Sequence, residues 1–375
     1  MISSAIIPQP LARLPWRLIF LVAGIAGIGI ITLYSAAGGS AQPWALKQGL
    51  TILFFLTLAI GMSWIREDTI KMLVFPAYAA IILMLILVDA MGFVGKGAQR
   101  WLDLGFIRLQ PSEFMKPAIV LVLARFYELI PAGSIRQWRA IWPAALMIGV
   151  PWALILVQPD LGTATMVLLS GLTVMFLAGV PMWIFLGGGG VLAAALPIVY
   201  SMMHDYQRKR VLIFLDPESD PLGAGYHITQ SKIALGSGGI GGKGFLEGTQ
   251  SHLYFLPERQ TDFIFTMLAE ELGMIGALAL IALYVLLIGY GIAIALRARH
   301  QFGRLVAIGI ISAFFLYMFI NIAMVTGLVP VVGVPLPLVS YGGTAMITLL
   351  FGFGLLLGVH IHRDVDIPRP AAAIM

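Results

Sequence analysis

The 375-residue chain has no cysteine and little charge: Asp, Glu, Lys and Arg make up only 11% of it. Without cysteine there is no disulfide, no thiolate metal site and no cysteine nucleophile. The shortage of charge excludes more. A soluble globular chain carries roughly 25% charged residues, so less than half that share rules out a water-soluble enzyme, a disordered chain, a coiled coil and a nucleic-acid-binding domain. Apolar residues fill the space, at 59% of the chain with a mean hydropathy of +0.95. In such a chain the net charge of +5 requires no anionic ligand, because loop lysines and arginines that orient a membrane protein give the same excess.

A bilayer core about 30 Å thick takes roughly 20 apolar residues of helix. Ten such stretches are present, at residues 18–36, 46–64, 70–88, 114–127, 141–157, 163–179, 183–203, 272–296, 306–325 and 344–360. The fourth is too short unless Pro111, Ser112 and Glu113 begin it, with Pro in the first turn, where it is tolerated. With the N-terminus in the cytoplasm, 12 of the 23 Lys and Arg fall on that side, five in short outer loops and six in one long outer loop. Both termini are therefore expected inside. Arg13, Arg17 and the following apolar run resemble a signal peptide, but a cleaved signal has a shorter apolar core and further spans follow, so an uncleaved first helix is expected. The chain reads as an all-α integral membrane protein, a single polytopic domain over residues 1–375.

Two outer segments interrupt the hydrophobic pattern: 91–112, and 204–261 between the seventh and eighth spans. The second has 58 residues with six basic and six acidic side chains, and loops this long usually bind or cover something. Within it, Gly236-Ser237-Gly238-Gly239-Ile240-Gly241 matches G-x-G-x-x-G but lacks the strand and βαβ unit a dinucleotide site needs. Gly242-Lys243 fails as a P-loop, since Gly244 stands where Ser or Thr is required. Successive glycines can close backbone N–H groups on an anionic oxygen, with Lys243 adding charge; a flexible turn with one solvated lysine is the plainer alternative.

The stretch Glu258-Arg259-Gln260-Thr261-Asp262 ends that loop. Residues 272–296 suffice to cross the bilayer, so 262–271 are expected to extend the helix into an aqueous cavity, with Asp262 in its first turn facing the positive end of the dipole. Glu270 would lie about 80° round the same helix. A capping role for Asp262, and helix–helix contacts for Glu270 and Glu271, are the simpler readings. Asp160 is placed to cap the sixth span. Glu113 and Lys116, three apart, form a helical ion pair that is either structural or presents a cation to a phosphate. Arg208, Lys209 and Arg210 suit a lipid headgroup or a pyrophosphate. Trp101 suits an interface. His204, His227 and His252 lack metal-ligand spacing.

Taken together, these pieces resemble the SEDS family (shape, elongation, division and sporulation). The resemblance is carried by Lys96–Gly105, Gln110-Pro111-Ser112-Glu113-Phe114-Met115-Lys116, Gln158–Thr163 and Asp205-Tyr206-Gln207-Arg208. It continues through Phe214–Pro217, Gly225-Tyr226-His227, Gln230-Ser231-Lys232, Gly236–Gly244, Gly248-Thr249-Gln250, Pro257–Phe265, Glu270–Gly273 and Pro335–Gly343. Arg259, Gln99–Leu104 and the absence of a long leading tail are similar to the elongation branch rather than the division branch. The resemblance implies ten spans and a peptidoglycan glycosyltransferase that polymerises lipid II at the outer face of the bacterial inner membrane. It also implies Asp262 as the essential carboxylate and a class B penicillin-binding protein as partner in rod elongation. Trp101, Glu113, Lys116, Asp160, Arg208, Arg210, Lys243, Glu258 and Ser340 are the candidates for binding substrate.

Such a reaction makes a β-1,4 bond from an α-linked sugar pyrophosphate and inverts the anomeric carbon. Asp262 would take the proton of the acceptor 4-hydroxyl. The lipid pyrophosphate leaves without a proton, so one carboxylate suffices where a glycosidase uses two. Its charge would be met by Lys116, Arg208, Arg210, Lys243 or a divalent cation, Mg or Mn. Apolar grooves between spans would hold the polyprenyl tails. A lipid-precursor flippase and a non-catalytic scaffold are the alternative readings.

Overall fold

A computed structural model describes residues 9–95, 98–103, 108–202, 208, 212–213, 216, 224–252 and 258–364. Its long helices are α1 (Trp16–Ala36), α2 (Ala45–Met62), α3 (Glu67–Met91), α4 (Pro111–Leu129), α5 (Trp138–Val157), α6 (Leu161–Ala178) and α7 (Met182–Met202). After α8 (Ala224–Ser237) come α9 (Ile264–Arg297), α10 (Gln301–Val325) and α11 (Gly343–Ile361). Apart from α8, each corresponds to one of the ten apolar stretches. Eight are long and apolar enough to cross a membrane, and α7 is apolar over Met182–Ala195. The chain is a multi-pass membrane protein.

The remaining helix, α4, carries Glu113, Lys116, Arg125 and Glu128, more charge than lipid tolerates. It has almost no lipid face: most of its first 14 residues are buried, among α3, α5, α6 and α10. Pro111 occupies its first turn, where the missing N–H is no loss. The apolar interior forms two large clusters. One joins α1, α9 and α11 and the other joins α3 to α6. Helix α10 serves both, through Phe314 and Met318 on one side and Phe302, Val306 and Ile310 on the other.

The segment before α4 contains three short antiparallel strands, β1 (Phe93–Gly95), β2 (Ala98–Asp103) and β3 (Arg108–Leu109). No hydropathy pattern announced them. The long outer segment also has structure, since α8 packs on α9 and α10.

Helix α9 departs most from expectation. It starts at Ile264, with Phe263 as N-cap, and breaks at Gly273, whose φ of 67° and ψ of −165° are open to glycine alone. A break strands backbone donors and acceptors, each costing several kcal/mol where water is absent. The glycine-rich run supplies the partners. Lys243 N and Gly244 N donate to the carbonyls of Glu270 and Glu271, both at 3.0 Å. Beyond the break, Met274 N and Ile275 N donate to the carbonyls of Gly239 and Ile240, at 3.0 and 3.2 Å. A Cβ at Gly238, Gly242 or Gly273 would strike the facing main chain, so the strap fits because it lacks side chains.

Candidate active site

Asp262 lies in a turn over residues 258–263, ahead of α9 and not in its first turn, and α9 has no side-chain cap. The dipole argument weakens accordingly, since the carboxylate is outside the helix, and the shared helical face with Glu270 disappears.

The turn is held through its main-chain carbonyls. Ser340 Oγ donates to the Thr261 carbonyl at 2.6 Å, Tyr341 N to the Gln260 carbonyl at 2.8 Å, and Asn321 Nδ2 to the Asp262 carbonyl at 3.0 Å. Asn321 also donates to the Val334 carbonyl at 2.8 Å, tying in the loop over residues 326–342. Ser340 Oγ accepts from Leu336 N at 2.8 Å, and the Ser340 carbonyl accepts from Gln48 Nε2 at 3.0 Å. Tyr284 OH holds the same loop at the Pro337 carbonyl, at 2.6 Å. Ser340 therefore sets the position of the Asp262 segment. Glu258 has a left-handed φ of 56°, and its carboxylate accepts from Thr261 Oγ1 at 2.9 Å.

The Asp262 carboxylate faces Gly333: a Cβ there would lie 3.6 Å from its Oδ2, while the preceding residue, Val332, abuts Gly162 of α6. Consecutive loop residues thus touch Asp262 and the start of α6. Asp160 is the N-cap of α6, accepting from Thr163 N at 3.2 Å. It also accepts from Gln110 Nε2 at 3.0 Å and has Arg100 Nη1 at 3.9 Å. Gln110 is in turn the N-cap residue of α4. The N-termini of α4 and α6 meet at the Gln110–Asp160 bond, with the loop at 332–333 between them and Asp262, and the positive ends of helices favour anions.

Just inside, Lys116 Nζ donates to Glu113 Oε1 at 2.6 Å and to Tyr317 OH, whose hydroxyl donates to Glu113 Oε2 at 3.0 Å. The ammonium lies 4.4 Å from the Tyr317 ring centroid. All three side chains are buried. Trp101, on β2, is half-buried beside Arg100, which donates to the carbonyls of Gln158 and Pro159.

The other candidates lie apart from this cluster. Lys243 Nζ donates to Glu270 Oε1 at 2.7 Å, and Thr249 Oγ1 and Gln250 N reach the same oxygen. Glu271 accepts from Ser35 at 2.5 Å. The fully buried Glu270 thus anchors the strap, and the N–H groups of Lys243 and Gly244 serve carbonyls instead of an anionic ligand. Arg208 donates to the carbonyls of Tyr200 and Ser201 at the end of α7. Arg210 lies outside the described residues, as do Lys96 and residues 203–207. Among the described residues no group of three or more His, Asp or Glu assembles a cation site, and no step below is routed through a metal.

Tyr317, Asn321, Gln48 and Gln110 were missed as partners. Asn321 had a signal, being an amide inside a span. The others bond across 50 to 292 positions of sequence.

A family model described as a cell cycle protein, FtsW/RodA/SpoVE, matches residues 16–365. Peptidoglycan glycosyltransferase MrdB of Escherichia coli K12 is 50% identical over 353 residues, 94% of either chain. Stage V sporulation protein E of Bacillus subtilis is 37% identical, covering 88% of this chain and 93% of its own. Among solved structures, a chain from a peptidoglycan synthase complex that coordinates polymerization and crosslinking superposes with a TM-score of 0.82 at 35% identity, over 94% of this chain and 99% of that one. The rod shape determining protein RodA of Thermus thermophilus gives 0.71 at 30% identity, over 94% and 98%. The chain belongs to the FtsW/RodA/SpoVE family, the SEDS proteins.

Proposed function

We infer that this protein is a peptidoglycan glycosyltransferase that polymerises lipid II into β-1,4-linked glycan strands, with Asp262 as general base. One observation carries the reading: the turn of Asp262 is fixed through its carbonyls by Ser340, Tyr341 and Asn321, and its carboxylate faces the loop that reaches the N-terminus of α6. A base abstracting the acceptor 4-hydroxyl proton must stay within hydrogen-bond reach of it, and a turn bound through its backbone carbonyls keeps Asp262 in one place. The departing lipid pyrophosphate develops negative charge, which helix N-termini and the Lys116 and Arg100 cations stabilise. As Asp262 takes the proton, the acceptor 4-oxygen attacks the donor anomeric carbon from the face opposite the leaving group and the bond to pyrophosphate breaks, which gives inversion. A single acid–base residue suffices because pyrophosphate leaves as an anion.

The site would face the periplasm from the bacterial inner membrane, with both chain ends in the cytoplasm. A class B penicillin-binding protein would supply crosslinking, a pairing supported by similarity to a chain of a peptidoglycan synthase complex. The test is Asp262→Asn in purified full-length protein with that partner and lipid II. Glycan polymer on gels is expected to fall about 10²–10⁴-fold while the melting temperature and the complex persist. Unchanged polymerisation would end the assignment, and lipid II crossing vesicle membranes without polymer would move the protein to the transport class.

A further inference from the structure

At the end of the bundle opposite Asp262 is a cavity of about 780 Å³, walled by the start of α1 and the end of α11. Its charged lining is Arg13, Arg17, Arg363 and Asp364, with His360, Trp16 and Tyr290 among the remainder. Asp364 is occupied: Arg363 Nε lies 3.2 Å from it and Arg299 Nε 3.9 Å. Among the described residues neither Arg13 nor Arg17 has an ion-pair partner.

Arg17 is the second residue of α1, and that first turn has no acidic residue and no side-chain cap. A cation is disfavoured beside the positive end of a helix, so the arrangement gathers like charges around one space. His360 adds a buried Nδ1 with no hydrogen-bond partner among the described residues. Orientation of the chain would require arginines near this end but no cavity between them. Charge and volume both point to an anion, and the cavity opens beside the exposed Trp16, a residue type that favours the membrane interface.

We propose that this cavity binds the phosphate headgroup of an anionic membrane phospholipid, with Arg13 and Arg17 as its principal contacts. Their planar guanidinium groups suit phosphate oxygens bidentately, and basic pockets between helices at the cytoplasmic side take such headgroups. The site is independent of Asp262 chemistry.

Trp16 reports on it directly. The full chain is reconstituted in vesicles of phosphatidylcholine with a fifth of phosphatidylglycerol, one lipid or the other brominated, and Trp16→Phe identifies the signal of that indole. Brominated phosphatidylglycerol is expected to quench Trp16 beyond its share of the bilayer. Arg17→Gln and, separately, Arg13→Gln are each expected to lower the relative affinity for the anionic lipid about fivefold, from roughly 1 kcal/mol per arginine near the surface. Quenching in proportion to composition in the unsubstituted chain overturns the proposal without reference to any variant. Displacement of the excess quench by millimolar inorganic phosphate would assign the cavity to a soluble anion and overturn the lipid assignment.

Discussion

The two ends of α4 solve the same problem in opposite ways. Both carry buried charge. At the far end, Lys71 lies between Glu67 at 2.8 Å and Glu128 at 2.6 Å, and Arg125 is 2.6 Å from the other Glu128 oxygen. Two cations meet two carboxylates, the set closes on itself, and α3 is joined to α4. At the near end, Lys116, Glu113 and Tyr317 share one network, with Asp160, Gln110 and Arg100 forming another beside the turn of Asp262. There the turn of Asp262 is tied through its carbonyls, and under the proposed function the charges would meet substrate phosphate. Charges hold the structure at one end; at the other, bonds to main-chain carbonyls hold the turn, and the proposed function gives the charges a chemical role.

Four experiments can break or sharpen that contrast. The largest effect is expected from Glu113→Gln combined with Lys116→Met, which removes a charge pair without stranding either partner. Polymerisation should fall about 10²–10³-fold, the cost of losing one electrostatic stabiliser, with little change in melting temperature. Retained turnover would make the near end merely structural. Lys71→Met should do the reverse, since it strands Glu67 in the interior and leaves Glu128 with Arg125 alone. A loss of about 3–5 kcal/mol is expected, read as thermal unfolding in detergent, with turnover per folded molecule unchanged.

Gly273→Ala attacks the backbone frame. An alanine there must hold a positive φ and push against Gly242, at a cost of about 1–3 kcal/mol for the dihedral alone. Hydrogen exchange should show faster opening of residues 264–272 and of the strap together. Ser340→Ala should give the smallest effect, about 1 kcal/mol for its bonds to Thr261 and Leu336. Its signature would be a lower kcat at nearly constant KM, because the base is loosened while the phosphate contacts remain.

Hydropathy made the frame legible. Each of the ten apolar stretches became a helix, eight of them long and apolar enough to cross a membrane, because bilayer thickness imposes a length that composition reveals, and Pro111 marked the start of α4. The strands β1 to β3 escaped because they are short and lie in a segment where no face is consistently apolar. The break in α9 escaped because Leu272-Gly273-Met274 is as hydrophobic as an intact span, and a torsion angle leaves no trace in hydropathy. Asp262 was found by motif, yet its setting outside the helix was not, since Ser340, Asn321 and Gln48 reach that turn from other parts of the chain. Asp160 was readable because an N-cap is a local bond.

The strap across the gap in α9 has a consequence for how this region tolerates change. Recognition there passes through peptide groups, which every residue shares, so its chemistry is indifferent to sequence while its volume is not. A saturation library should therefore reject nearly everything at Gly238, Gly242 and Gly273, including alanine, yet accept many side chains at Gly236 and Gly241, where added atoms meet open space. Such alternating intolerance along one short glycine run would be the genetic imprint of a helix mended by a neighbouring chain segment.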